Sequence, residues 1–201
     1  HRASGLWLWL ILLLFAWSSV YMNLSDTVYT SLTRQLFNYH EPWTDLSKLE
    51  KPLTQPILDW REAYNQALNL SKEAEVAHHF SLEYPVYLSI NRDLGVYDFK
   101  FRSSLDIQDK FGNTRLFFDA NTGKLKLLLL PTSQYSGNTV TNWLIALHMA
   151  NVFGMPYRIF VCLLGLSIVM LTVTGVVIWF KKRSAAKAKH NIITCSTKTL
   201  V

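Results

Sequence analysis

The chain has 201 residues, of which 50% are hydrophobic and 17% charged, and this length allows one or two ordinary domains. Six of the 20 basic residues lie in residues 181–201, which contain no acidic residue, so the rest of the chain is balanced and the net charge of +6 belongs to this tail. A balanced folded part excludes a generally basic protein that coats nucleic acid. Two cysteines, Cys162 and Cys195, exclude a disulfide framework.

Two apolar runs without a charge, residues 6–20 and 159–180, predict a membrane protein, because a helix needs about 20 such residues to cross a bilayer. The first run is interrupted only by Ser18 and Ser19 and continues without a small-residue cleavage site. We therefore interpret residues 1–24 as a retained transmembrane helix and not as a secretory signal. Since the chain begins with His1 and not with Met, we expect it to be part of a longer protein.

Basic residues predict the orientation. Lys181, Lys182 and Arg183 directly follow the second apolar run, so the basic tail, residues 181–201, should be cytoplasmic. Arg2 places the N-terminus on the same side. In a bacterium this topology describes a multi-pass protein of the inner membrane, with residues 25–140 in the periplasm.

The segment between the runs predicts a small α+β domain. Pro42, Pro52 and Pro56 mark an irregular entry to the domain, and we predict a linker over residues 25–55. In the domain, residues 56–135, apolar side chains recur at helical intervals over 58–80. β-Branched and aromatic residues then predict antiparallel strands at 86–90, 96–101, 114–118 and 124–130, the last two joined by a glycine-containing hairpin loop. We expect a helix packed on antiparallel strands.

Residues 139–180 predict an outer helix that continues into the second transmembrane helix. From about residue 142 to residue 180 a single helix would be too long for one straight crossing at 1.5 Å per residue. Pro156, beside Gly154, is the predicted kink.

His148 is the main candidate ligand, because it lies in an apolar helical stretch near the predicted outer membrane face. A neutral imidazole can bind a metal through one ring nitrogen while a hydrogen bond holds the other. The alternative is a histidine packed in an outer helix. Arg158, at the start of the second run, could pair with an anionic group such as a haem propionate, or extend its charge to the membrane interface.

His1 lies at the opposite, cytoplasmic face, one helical turn from Gly5 on the same side of the helix, where a flat macrocycle would find a bare patch. The alternative is that His1 has no role. His1 and His148 could not bind the same iron, so two haems would each need a second axial ligand from missing helices or another protomer. His40 and His190 have no supporting context.

Four motifs resemble the PepSY-associated transmembrane family. They are His-Arg-Ala-Ser-Gly-Leu-Trp at 1–7, Phe-Phe-Asp-Ala-Asn-Thr-Gly-Lys-Leu at 117–125, Ala-Leu-His-Met-Ala-Asn-Val-Phe-Gly-Met-Pro-Tyr-Arg at 146–158, and Thr-Gly-Val-Val-Ile-Trp-Phe-Lys-Lys-Arg at 174–183. The resemblance implies a PepSY-like periplasmic domain between two transmembrane helices. It also implies that the chain is the C-terminal half of a four-helix protein, with its partner ligands in the missing N-terminal half.

By the same resemblance, the function would be that of an inner-membrane haem b protein that reduces periplasmic ferric siderophore or ferric iron, an oxidoreductase of iron uptake. His1 and His148 match the family's membrane histidines and would be the haem ligands, within the lipid bilayer. Arg158 stays a candidate cofactor-binding residue from its position alone. Two alternatives stay open: a membrane-anchored PepSY module that binds peptides or restrains a peptidase, and a non-catalytic accessory subunit of a transporter. Membrane histidines favour the first function.

Overall fold

The structure, a computed structural model, describes the backbone of residues 2–41 and 44–198 and the side chains of residues 9–41 and 44–184. It divides into two units. Leu8–Gly154 form one, which holds the sheet, and the second contains the C-terminal helix from Met155 onward.

The first helix, α1, spans Arg2–Asn23. One π-helical turn, Ser25–Tyr29, then leads into α2, Thr30–Leu36. Residues 25–36, which we predicted as the beginning of an irregular linker, are therefore helical. The direction of the helix changes by 106° at the break between Trp9–Asn23 and Ser25–Leu36. Sequence periodicity did not indicate this second helical segment because it has no proline or glycine to separate it and no regular apolar face.

The amphipathic helix predicted over 58–80 is α3, Trp60–His78. It begins with a capping box, in which the Asp59 carboxylate accepts from the backbone N–H of Glu62 and the Glu62 carboxylate accepts from the backbone N–H of Asp59. These reciprocal bonds satisfy amides that a helix start leaves unpaired. The C-cap of α3 is His79, the residue after its last turn, which adopts the left-handed conformation with φ 55°.

Four antiparallel strands form one sheet in the order β1-β2-β3-β4. They are β1 Leu82–Asn91, β2 Val96–Ser103, β3 Thr114–Asp119 and β4 Leu125–Leu129. The predicted fold of a helix packed on antiparallel strands is confirmed. β1 begins before Pro85 and not after it as the sequence suggested. Proline is tolerated there because β1 is an edge strand whose pairing is irregular between Pro85 and Tyr87.

The two faces of the sheet differ in composition. One face packs on α3 and forms the main apolar core, which contains Ala63, Ala67, Leu70, Tyr97, Phe99, Phe101, Leu116 and Phe118. The other face holds a smaller apolar cluster of Leu46, Leu94, Val96, Phe117 and Leu129. Alternation along the strands places Asp98, Lys100 and Arg115 on this second face.

The predicted kink at Pro156 is instead a break between two helices. α4 spans Ser136–His148 and α5 spans Gly154–Lys198. Ala150, Phe153 and Gly154 all have positive φ values of 50–63°, which ends one helix before the next begins. Pro156 is the third residue of α5, in the first turn, where a missing N–H breaks no intrahelical bond.

Of the described residues, one helical segment, Gly154–Ser184, is long and apolar enough to cross a membrane. Trp9–Asn23 meets the same criterion only together with Ser25–Leu36, across the 106° bend. The side chains of α5 are mostly exposed to the surroundings along this segment, as a lipid-facing helix requires. A second spanning helix at α1 stays a prediction.

Candidate functional site

α4 packs closely on the segment that follows α2 because Gly137 has no side chain. An added Cβ at Gly137 would lie 2.7 Å from the Cβ of Tyr39, 2.9 Å from its Cα and 3.0 Å from the backbone oxygen of Asn38. The Asn138 amide donates to the His40 carbonyl over 2.8 Å, and its oxygen accepts from the His40 N–H over 2.9 Å. These contacts fix the N-terminal half of α4.

The C-terminal end of α4 is fixed on α1 through His148. Nδ1 of His148 lies 2.6 Å from the hydroxyl of Ser18, and its ring packs on Phe15 with the ring centres 5.2 Å apart. Ser18 is completely buried, and its hydroxyl also lies 2.9 Å from the carbonyl oxygens of both Leu14 and Phe15. The polar side chain of Ser18, in this apolar run, is thus paired.

The direction in which the Ser18 hydroxyl donates its proton determines which ring nitrogen of His148 carries a hydrogen. The carbonyls of Leu14 and Phe15 can only accept, so the arrangement that satisfies most groups sends the Ser18 proton to a carbonyl and lets the His148 Nδ1–H donate to Ser18 Oγ. Nε2 of His148 then carries the lone pair. A hydrogen bond that holds one ring nitrogen while the other is a free base is the usual state of a metal-ligating histidine.

Through Nε2, His148 could hold the iron of a haem. Residues with described side chains contain no group of three or more His, Cys, Asp or Glu that could enclose a metal ion.

The other two predicted site residues lie elsewhere. Arg158 is in the first turns of α5, in the second unit, with its side chain partly buried. His1 lies outside the described residues, as does the side chain of Arg2 on which the predicted orientation partly rests.

A polar cavity of about 270 Å³ lies between the second face of the sheet and α4. Its walls come from α1, the segment after α2, strands β2 to β4 and α4; the polar and charged side chains among them are those of Tyr21, Tyr39, His40, Lys100, Asn113, Arg115, Asn138, Thr141 and Asn142. Burial raises the pKa of Tyr39 to about 12, so its hydroxyl remains protonated at neutral pH.

Two cations face this cavity from adjacent strands. Lys100 and Arg115 are direct cross-strand partners, an arrangement of like charges that normally destabilises a sheet. Arg115 is compensated by the buried carboxylate of Asp98, to which its guanidinium donates twice. Burial, followed by the charge of Arg115, lowers the pKa of Lys100.

His40 borders the same cavity. Its ring stacks on Tyr135 with the centres 4.5 Å apart. Nε2 lies 2.8 Å from a carboxylate oxygen of Asp45, but in a direction in which the ring N–H does not form a hydrogen bond.

The sequence predicted His148 as a candidate ligand, which stays a prediction, and did not predict its contact with Ser18 or the cavity. Ser18 was visible as a polar residue in an apolar run, which is a usable signal for a buried hydrogen bond. Lys100 and Arg115 could have been placed on one face from strand alternation alone. His40 carried no signal, because the chain around it is irregular and Tyr135 and Asn138, which it contacts, are distant in sequence.

The model of a family described as the PepSY-associated TM region matches residues 1–182, a range that includes α1 to α4, the sheet and the apolar part of α5. No curated protein matches the sequence.

Proposed function

The chain belongs to the PepSY-associated TM region family, and from this premise we propose that it is part of an inner-membrane haem b protein. In this proposal it passes electrons across the membrane to periplasmic ferric siderophore or ferric iron during iron uptake. The chain is a membrane protein, as the family and the apolar helix Gly154–Ser184 indicate. The observation that carries the proposal is the 2.6 Å contact between Ser18 and Nδ1 of His148.

His148 would offer Nε2 as an axial ligand, while Ser18 holds Nδ1 and fixes the ring orientation. Phe15 packs on the ring and limits its rotation. When bound, the haem iron would supply reversible one-electron redox chemistry, which the side chains of this chain lack. A serine hydroxyl is a weak acceptor compared with a carboxylate, so His148 would be a less electron-rich ligand than an imidazole paired with aspartate.

The remaining ligands belong to the proposal and not to the described residues. His1 would serve a second haem near the cytoplasmic face, with both termini cytoplasmic and residues 25–140 periplasmic. Arg158 would pair with a haem propionate. The second axial ligand of each haem would come from the missing N-terminal half or from another protomer.

The proposed reaction class is that of a haem-dependent ferric-siderophore reductase. One electron from a donor on the cytoplasmic side reduces one Fe(III) to Fe(II), and hard oxygen ligands of a chelate hold Fe(II) less tightly. No general acid or base is required from the protein.

A membrane-anchored binding module is the second candidate. It is supported by the open edges of the sheet at β1 and β4, to which an extended peptide, such as a segment of a restrained peptidase, could add a strand. On β1 this addition is limited by Pro85 and by two irregularities in the pairing with β2, features that normally protect an edge.

A reduced-minus-oxidised visible spectrum of the full-length protein in detergent, after haem-replete expression, tests the proposal. We expect sharp b-type bands that decrease by about half in His148→Ala, because one of two haems would lose its ligand. His40→Ala is the matched control and should keep the full bands, because His40 lies in the segment after α2 and contacts the opposite, N-terminal end of α4. Absence of b-type bands in the wild-type protein would overturn the redox function and favour the binding module.

Ser18→Ala sharpens the same test, because Ser18 is proposed to act through His148. Removing the hydroxyl frees the ring to rotate and to change tautomer, so we expect the midpoint potential or the haem occupancy to change while some b-type signal remains. Ser19→Ala is the control: the Ser19 hydroxyl bonds only to the Phe15 carbonyl, over 2.8 Å. Identical spectra and potentials in both serine variants would exclude a positioning role for Ser18.

A further inference from the structure

The cavity between the sheet and α4 is lined by cations without a lining carboxylate. Lys100 and Arg115 are the charged side chains among the described residues of its wall, and the remaining polar groups are amides, hydroxyls and the His40 ring. A concave site with a few convergent polar groups is the usual form of a small-ligand site.

Lys100 is the cation in this wall whose charge is not compensated by a contact. Its ammonium lies over the ring of Tyr87 at 6.0 Å, and no described carboxylate oxygen forms an ion pair with it. The two carboxylates that act on it electrostatically, Asp98 and Asp106, are both engaged elsewhere.

The oxygens of these two carboxylates have their own donors. Those of Asp98 accept from Arg115 and from the Tyr87 hydroxyl. Those of Asp106 accept from the backbone N–H and the hydroxyl of Ser103. They also accept from the backbone N–H of Asn113 and the hydroxyl of Thr114. Neither carboxylate can turn to Lys100 without losing these bonds, so the ammonium remains available to a ligand.

We propose that this cavity binds an oxyanion, a phosphate or carboxylate group, with Lys100 as the direct donor and Arg115 as the second positive charge. The bound oxyanion would relieve the repulsion between the two cross-strand cations. It would also replace the water that a half-buried ammonium loses. This inference does not depend on the proposed function, because none of these groups takes part in holding a haem.

Two sources could supply the oxyanion. Tyr21, in the last turn of α1, lines the cavity, and tyrosine near the end of an apolar helix is typical of the membrane interface. A phospholipid headgroup would be within reach in that position. A free phosphate or the carboxylate of a soluble molecule would use the same contacts from the aqueous side.

The experiment separates these sources with two probes on the full-length protein in a phosphate-free detergent. Inorganic phosphate is titrated calorimetrically at an ionic strength kept constant with sodium chloride. Phosphatidylglycerol retained after delipidation is counted by native mass spectrometry, with phosphatidylcholine as the reference lipid. Each measurement is made on the wild type, on Lys100→Gln and on the matched control Lys72→Gln, whose lysine is exposed on α3 at the other face of the sheet.

We expect Lys100→Gln to weaken phosphate binding at least tenfold, or to abolish selective retention of phosphatidylglycerol, while Lys72→Gln changes neither. The first result identifies a free oxyanion and the second a lipid headgroup. Equal binding of both probes by wild type and Lys100→Gln overturns the proposal.

A second measurement uses only the wild-type protein, in case Lys100→Gln does not fold. Acetylation by acetic anhydride is followed residue by residue with mass spectrometry. Phosphate or phosphatidylglycerol should slow acetylation of Lys100 at least threefold and leave Lys72 unchanged. Unchanged reactivity of Lys100 with both probes would also overturn the site.

Discussion

The two faces of the sheet are made by the same strands but have opposite properties. The α3 face consists of aromatic and aliphatic side chains that are almost completely buried, such as Tyr97, Phe99 and Phe101. The α4 face contains an apolar cluster beside a buried ion pair and a polar cavity. Successive residues of β2 therefore belong to two environments. The stability of this domain therefore comes mainly from one face of the sheet and its candidate binding chemistry from the other.

The largest test of this comparison replaces two neighbours on β2. Phe99→Ala removes a fully buried ring and should lower the free energy of unfolding by about 3–5 kcal/mol. Lys100→Gln, the next residue, points to the other face and removes a repulsion, so it should change stability by less than about 1 kcal/mol. Urea unfolding followed by tryptophan fluorescence measures both. Equal losses in the two variants would contradict the division of roles between the faces.

A smaller effect is expected at the buried ion pair of the α4 face. Asp98→Asn leaves the Arg115 guanidinium without its carboxylate and should cost about 2–3 kcal/mol, below the full cost for a completely buried pair because Arg115 remains partly exposed. The matched variant Glu83→Gln breaks the more exposed pair with Arg102 and should cost at most about 1 kcal/mol. The same unfolding assay compares them, and a larger loss in Glu83→Gln would show that burial does not set the strength of these pairs.

The smallest effect is expected where α4 packs at Gly137 on the segment that follows α2. Gly137→Ala places a methyl group against Tyr39 and Asn38, which should cost about 1–2 kcal/mol because the irregular segment can move only in part. In Gly175→Ala, in α5, the added methyl group meets no atom within 4 Å. The thermal unfolding temperature of this variant should be unchanged or slightly higher than that of the wild type. If Gly137→Ala unfolds at the wild-type temperature, the close packing of α4 does not contribute to stability.

Local patterns predicted most of the domain but not its contacts with the helices. The strands and α3 follow from alternation and from helical spacing, and their boundaries differ from prediction by a few residues. The helical segment Thr30–Leu36 and the break before Gly154 were not predicted, since neither follows from local periodicity. The pairing of Ser18 with His148 spans 130 positions. A contact of that kind depends on how α1 and α4 pack, and a single sequence does not contain this information.

The contact between Ser18 and His148 also has a consequence for biosynthesis. Ribosomes add about 5–20 residues per second, so the 130 positions that separate these two residues correspond to roughly 6.5–26 s of synthesis. During this interval α1 is complete while its partner does not yet exist. The Ser18 hydroxyl can donate to the carbonyls of its own helix, which keeps the nascent helix free of an unsatisfied polar group until α4 emerges and the imidazole joins a bond network that is already formed.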